Sequence, residues 1–314
     1  VKNVVIFGGG TGLSHLLKGI KNQKFNLTIV VTISDNGGST GTIRDLYNIP
    51  APGDLRRVVV ALRQDPELEK LMNYRFDEKM DNHTVGNIIL AALTDIKGDM
   101  ESAVKAYCKL LDVEQEVLPI SNESLVLGAV MKNGIEVFGE TQICKYPERI
   151  ESLFYRNNPK VNPTVIDRIN EADAIIFSSG SLYSSTISNL IFDDLADAIS
   201  VSNAKKIYVS NLMTERGETE NYRLSDHLNA INKHLVNSKI DYVIANDNFD
   251  VPSSVIKKYK LENASLVEVD DENIECNIVT KNLLWLNKDN YIRHSTREIG
   301  IEIAKILNEG KYEK

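Results

Sequence analysis

Two apolar runs near the start of the chain each end in glycine. Val4-Val5-Ile6-Phe7 passes into Gly8-Gly9-Gly10-Thr11-Gly12, and a run over 27–33 passes into Ser34-Asp35-Asn36-Gly37-Gly38-Ser39-Thr40-Gly41. Such runs predict buried strands, each followed by a glycine-rich turn. Leu13, Leu16, Leu17 and Ile20 recur at i, i+3, i+4 and i+7, the spacing of a helix lying on a sheet. Residues 34–53 hold four glycines and two prolines and show little periodicity, so they read as one long irregular loop. Asp54 then suits the cap of a helix with Leu55, Val58, Val59 and Leu62 on one face, and Asp65-Pro66 opens another. A segment over 85–93, apolar on most sides, predicts a deeply buried helix behind Asn82-His83-Thr84.

From 113 to about 160 the pattern shortens. Val117-Leu118-Pro119, 125–131, 135–138 and 150–154 read as short strands, with Asn133-Gly134 a hairpin turn. This predicts a β-rich insertion edging the core. Strand and helix alternate again from Pro163, with strands at 174–177, 206–209 and 242–245, helices near 192–199 and 224–235, and a closing helix over 301–307. The expected fold class is α/β, a doubly wound, mainly parallel Rossmann-like sheet, in one domain over 1–314 with the insertion at about 113–160.

Composition narrows the partners. The chain has 314 residues, 42% hydrophobic and 25% charged, with a formal net charge of −8. That balance disfavours nucleic acid and anionic membranes as general partners. No apolar stretch approaches eighteen residues and no basic-apolar leader opens the chain, so a cytoplasmic protein with no membrane span is expected. Cys108, Cys144 and Cys276 are odd in number and far apart, which predicts buried thiols and neither disulfides nor zinc.

The chemistry concentrates in loops. In an open α/β sheet, loops at the carboxyl ends of strands line the ligand crevice, and unhindered N–H groups there approach phosphate closely. Gly9, Gly10, Thr11 and Gly12 form the first such loop and Asp35, Asn36, Gly37, Gly38 and Ser39 the second. Gly180, Ser181, Leu182 and Tyr183 follow a later strand, as do Asn211 and Thr214 after the next. The dinucleotide pattern fails, because Leu13 and His15 stand where its third glycine belongs, and no P-loop lysine occurs. Asp35 suits a ribose or sugar hydroxyl, a metal-bound water, or its own turn. Asp54 suits a helix cap or, with Asp35, a divalent ion such as Mg²⁺. Arg56 or Arg57 suits a diphosphate or a solvated helix surface. His83 near Asn87 fits a helix-start hydrogen bond as well as catalysis. No nucleophile and base pair stands out, no His/Cys cluster suggests a resident metal, and the catalytic residues are left open.

Gly8-Gly9-Gly10-Thr11-Gly12-Leu13-Ser14, the loop Ser34 through Gly41, Pro52-Gly53-Asp54-Leu55-Arg56, Val85-Gly86-Asn87, Gly180-Ser181-Leu182-Tyr183, Asn211-Leu212-Met213-Thr214 and Ser225-Asp226-His227-Leu228 together resemble the YvcK, or gluconeogenesis factor, family. That family is related to CofD, the 2-phospho-lactate transferase. The chain departs from it at Asn36, where a second aspartate is usual, and at Ser178-Ser179, where Gly-Pro is usual. The resemblance implies a CofD-like fold in a cytoplasmic regulator that binds UDP-sugars, notably UDP-N-acetylglucosamine, and supports growth and cell shape on gluconeogenic carbon. It also implies that Tyr259 and Arg293 touch the nucleotide-sugar. A regulatory protein partner or a kinase acting near Thr296, and a homo-oligomeric state, are further expectations. The alternative is a transferase moving a phosphate-containing group from a nucleotide diphosphate carrier with Mg²⁺.

Overall fold

The computed structural model describes residues 1–308. β1 (Lys2–Gly8) leads through α1 (Gly10–Ile20) to β2 (Phe25–Val31). Five helices follow: α2 (Gly38–Tyr47), α3 (Gly53–Arg63), α4 (Pro66–Met72), α5 (Val85–Lys97) and α6 (Met100–Leu110). After β3 (Glu116–Pro119) come β4 (Leu127–Met131), β5 (Glu136–Phe138), α7 (Glu140–Lys145) and β6 (Ile150–Tyr155). Then α8 (Pro163–Asn170) precedes β7 (Ala174–Phe177), and a π-helical turn over Leu182–Ile187 runs into α9 (Ser188–Leu190) and α10 (Asp193–Val201). The remainder is β8 (Lys205–Val209), α11 (Leu224–Asn232), β9 (Tyr242–Asn246), α12 (Ser253–Leu261), β10 (Asn277–Lys281), β11 (Leu284–Leu286), β12 (Ile292–His294) and α13 (Thr296–Asn308).

Strands without polar alternation must be covered on both faces, and here they form one seven-stranded parallel sheet in the order β10-β9-β8-β7-β1-β2-β3. The doubly wound expectation holds. Ile6, Phe7, Ile29, Ile176 and Phe177 are fully buried, and the rings of Phe7 and Phe177 stack across the β1–β7 pair. Leu13, Leu16, Leu17 and Ile20 seat α1 on this core, as their spacing predicts. From β1 the chain winds outward to β2 and β3 on one side and later to β7 on the other. The order therefore reverses between β1 and β7, which places a crevice at their carboxyl ends.

Several expectations are corrected. Residues 34–53 are not one irregular loop: α2 occupies half of them and buries Ser39, Thr40, Gly41 and Ile43, a mostly small and polar face that an apolar periodicity cannot reveal. Asp54 does not cap α3, whose N-cap is Pro52. The strand at 117–119 lies outside the small antiparallel sheet. As β3 it pairs in parallel with β2, and Thr28 Oγ1 donates to Glu116 Oε2 at 2.8 Å across that edge. The antiparallel sheet itself is β5-β4-β6, turned at Asn133-Gly134 with Gly134 at φ +82. The helix over 85–93 is not deeply buried on most sides. α5 packs through Gly86, Asn87, Leu90, Ala91 and Thr94, while Ile96 is 72% exposed. Of the cysteines only Cys108 is buried, and all three are free. Among the described residues no helix is long and apolar enough to cross a membrane.

Candidate functional site

Glycine sets the geometry at the β1–β7 switch point because backbones cross there. A Cβ on Gly12 would lie 2.2 Å from the Ser179 carbonyl oxygen, and one on Gly8 would lie 2.0 Å from Ser178 Oγ. The start of α1 thus rests on the loop after β7. Its N-cap is Gly9, without a side-chain cap, and its first turn carries no acid. Gly10 stands at φ +61 and donates its N–H to Asp54 Oδ2 at 2.7 Å. Beyond it, Thr11 and Gly12 face an open cleft of about 510 Å³. First-turn N–H groups and the helix dipole make such an end attractive to an anion.

Four segments close the cleft. Asn211 sits on the loop after β8, where it accepts from Tyr208 Oη at 2.9 Å and donates to the Gly180 carbonyl at 2.9 Å, so it locks two ligand-facing loops together. Thr214 donates its N–H to Ser265 O at 2.7 Å and ties the same loop to the segment after α12. Tyr259, on α12, accepts the Ile292 N–H at 2.9 Å and thereby positions β12. Arg293 follows, donating from Nη1 to Ile292 O at 2.8 Å while its guanidinium carbon stands 5.3 Å from the Tyr291 ring centre. Two histidines not anticipated from the sequence complete the wall. His294 donates from Nε2 to Ser210 O at 2.9 Å, and burial pushes it down to about 4. His15 is also lowered, by burial first and then by the charges of Lys18 and Arg293. Near neutral pH both rings are uncharged, and arginine supplies the positive charge.

Most of the other expected residues lie on the β2 side of the switch point, while Leu182 and Tyr183 sit in the turn after β7, and none of these lines this cleft. Asp54 is buried with both oxygens engaged, Oδ2 by Gly10 and Oδ1 by Arg57 Nη1 at 3.0 Å; burial raises its pKa, against the Arg57 charge. Asp35 accepts the Gly37 N–H at 2.8 Å through Oδ1, a turn-forming bond. Asn36 faces the insertion: Oδ1 accepts from Thr141 N and Thr141 Oγ1, both at 3.0 Å, and Nδ2 donates to Gln142 at 2.9 Å. Gly38 is at φ +46 with open space around it. Ser39 is buried between His83 Nδ1 at 3.0 Å and Asn87 Nδ2 at 3.2 Å, whereas Asn87 Oδ1 has no partner. Arg56 is buried against the end of α4, bonded to Asn73 Oδ1 and Met72 O, and burial pulls it down to about 10. Leu182 is core. Tyr183 donates its N–H to Glu218 Oε2 at 2.8 Å and pairs its hydroxyl with Tyr222.

Sequence reasoning missed a group of acids here. Glu218, 4% exposed, accepts the Tyr183 and Ser184 N–H groups at the start of the π-helical turn. Glu140, at the first position of α7, is pushed up to about 8 by burial and by the charges of Asp35, Asp54 and Glu218. Glu215 rises to about 7 through burial and the charge of Glu218. The loop holding Glu215 and Glu218 was legible as a candidate, but nothing in linear spacing joins residue 140 to residues 184 or 218.

Comparison with known proteins bears on the whole chain. Residues 4–284 match the family described as 2-phospho-L-lactate transferase CofD. The chain is 39% identical over 312 residues to the gluconeogenesis factor of Bacillus subtilis, covering 98% of each protein. It is 37% identical to the gluconeogenesis factor of Halalkalibacterium halodurans, covering 99% of this chain and 97% of that one. A crystal structure of a UPF0052 family member from Bacillus halodurans superposes with a TM-score of 0.92 at 37% identity, over 96% of this chain and 99% of the other. With that agreement in sequence and in fold, the chain belongs to the CofD family, among its gluconeogenesis factors.

Proposed function

We propose that this chain is a cytoplasmic regulator that binds a UDP-sugar, UDP-N-acetylglucosamine foremost, and acts as a gluconeogenesis factor required for growth and cell shape on gluconeogenic carbon. One observation carries the reading: Thr11 and Gly12 in the first turn of α1, which carries no acid, and the Arg293 side chain line a single cleft braced by Tyr259. Main-chain N–H groups hold the diphosphate, Arg293 neutralises it, and Asn211 keeps the loops in register. The names of the B. subtilis and H. halodurans relatives support the physiological role. Calorimetry with UDP-N-acetylglucosamine tests it. Arg293→Ala weakens binding by about 1–3 kcal/mol, the range of a charge-assisted hydrogen bond. Unchanged affinity in that variant removes the cleft from the reading.

The match to a transferase family favours a second reading, group transfer from a nucleotide diphosphate carrier. Mg²⁺ held by Asp35 and Asp54 was the expected Lewis acid. The donor set as folded does not fit it: Asp54 has both oxygens engaged, and no three metal-ligating side chains converge among the described residues. Incubation with labelled nucleotide-linked donors and Mg²⁺ separates the readings, since freed nucleotide supports transfer and intact ligand supports regulation.

A further inference from the structure

Of the five histidines, His83, His227, His234 and His294 each engage a ring nitrogen with a neighbour in the fold. His15 is different. It is half-buried, lines the cleft, and engages neither nitrogen in a hydrogen bond among the described residues. A side chain in the second turn of a helix leans back toward the N-terminus, over the residues three and four before it. For His15 those residues are Gly12 and Thr11, which line the same cleft, and Gly12 puts no side chain between the imidazole and the first-turn N–H groups that a helix leaves unpaired.

Charge around the ring favours an anion. Burial lowers the His15 pKa most, then the charges of Lys18 on the same helix and Arg293 on β12, and only Glu69 on α4 opposes them. A diphosphate bound at this helix start offers an oxygen to an imidazolium and offsets the charges of Lys18 and Arg293, so the ring gains basicity when such a ligand arrives. His294, the other histidine of the cleft, does not share this chance. Its Nε2 donates to Ser210 O at 2.9 Å and its Nδ1 pairs with Ser179 Oγ at 3.4 Å, so both nitrogens are already engaged.

Resting on the proposed function, we infer that His15 is a contact to the diphosphate beside the α1 amides and Arg293, and that it takes up a proton as the ligand binds. The cleft then holds a sugar nucleotide more tightly as its surroundings acidify. Bound, His15 keeps its proton to a higher pH than it does free. Between the two midpoints the complex therefore carries more protons than the free protein, and affinity rises as pH falls through that window. Below the free midpoint both states are charged and the dependence ends. Glu215, raised to about 7 by burial first, lines the same cleft and loses negative charge over part of this range, which favours an anion in the same direction. Arg216 and Glu262 add one charge of each sign to the wall. The test must therefore separate His15 from Glu215.

Calorimetry with UDP-N-acetylglucosamine from about pH 8 to about pH 6 does so, because the diphosphate diester of that probe does not itself titrate there. Wild-type affinity is expected to rise about three- to tenfold across the range, below the limit of tenfold per pH unit for one proton. His15→Gln keeps a hydrogen-bonding side chain and a good helix former but cannot titrate, so it retains only the Glu215 part of the rise. Glu215→Gln retains only the His15 part. Proton NMR reads the ring directly in the wild-type protein: the His15 Cε1–H resonance, identified by its loss in His15→Gln, titrates with a higher midpoint when the sugar nucleotide is bound. A midpoint that does not rise, or the same pH dependence of affinity in wild type and His15→Gln, overturns the inference while leaving the proposed function standing. Failure of the wild-type protein to bind the sugar nucleotide at any pH overturns both.

Discussion

The two flanks of the β1–β7 switch point are built from similar glycine-bearing loops and differ in their charged groups. Toward β8 and β9 the cleft is lined by Arg293 and Arg216 together with Glu215 and Glu262, with Lys258 stacked on Tyr291 beside it. Toward β2 lie Asp35, Asp54 and Glu140, whose charge is joined by that of Glu218 from the loop after β8. What separates them is whether the protein already supplies an anion to its own helix starts. Glu218 occupies the N–H groups of the π-helical turn and Asp54 that of Gly10, whereas the turn at Thr11 and Gly12 is left without an acid. A glycine loop after a strand is therefore not in itself a phosphate site. It becomes one where no internal carboxylate has taken the amides.

The largest expected effect distinguishes the two glycine loops. Gly12→Ala drives a Cβ into the Ser179 backbone, which cannot yield as a flexible side chain does, and should cost about 3 kcal/mol or more. Gly38→Ala meets open space at φ +46 and costs only the left-handed conformation, about 1–2 kcal/mol. Thermal unfolding of the two variants measures the contrast, and equal losses would show that the crossing at Ser179 is not the tighter constraint. Next comes Arg293→Ala, whose loss of about 1–3 kcal/mol in sugar-nucleotide binding should leave thermal stability nearly unchanged, because the side chain hydrogen-bonds only its neighbouring carbonyl and otherwise meets only the Tyr291 ring.

The acidic flank makes its own prediction in pH. Glu140 is protonated in the folded state up to about 8 and ionised above its ordinary range, near 4.5, when unfolded. Between those values the folded chain holds more protons, so stability falls as pH rises. Glu140→Gln removes this contribution. The variant should lose less stability than wild type between pH 5 and pH 8, by at most about 1.4 kcal/mol per pH unit, the limit for one proton. Glu215, raised to about 7, keeps part of the slope in both proteins. Parallel stability curves from denaturant titrations would show that Glu140 does not titrate in this window.

The fold was readable where one apolar pattern determined one element. Leu13, Leu16, Leu17 and Ile20 define α1, and the continuous runs at β1, β2, β7, β8 and β9 define the parallel sheet. Reading failed where packing depends on small or polar residues. α2 buries serine, threonine and glycine, and α5 uses Gly86, Asn87 and Ala91 on its inner face, so hydrophobicity hid the first helix and overstated the burial of the second. β10 to β12 carry Asn277, Thr280 and Lys281 among apolar neighbours and gave no clear strand signal, although β12 delivers Arg293 and His294 to the cleft. The candidate residues were legible as loop chemistry. Their division into an arginine-bearing cleft and an acidic flank was not, because it depends on contacts such as Asp54 to Gly10 and Glu218 to Tyr183 that span tens of residues.

Asn36 offers the finest test of that division, since it touches the acidic flank without belonging to it. Its amide satisfies Thr141 twice and Gln142 once, holding α7 and therefore Glu140 against the second glycine loop. Asn36→Ala deletes the whole contact and should cost about 1 kcal/mol, small because Gln142 is exposed and water replaces part of the bonding. Asn36→Asp keeps the acceptor for Thr141, and the Gln142 amide can turn to donate to the new carboxylate. Near pH 5, with Glu140 protonated, the aspartate variant should therefore be the more stable of the two. At pH 8 the added charge stands near Asp35 and an increasingly ionised Glu140, and its advantage should shrink or reverse. An advantage independent of pH would mean that the neutral amide serves only as a latch, with no part in keeping negative charge off the flank.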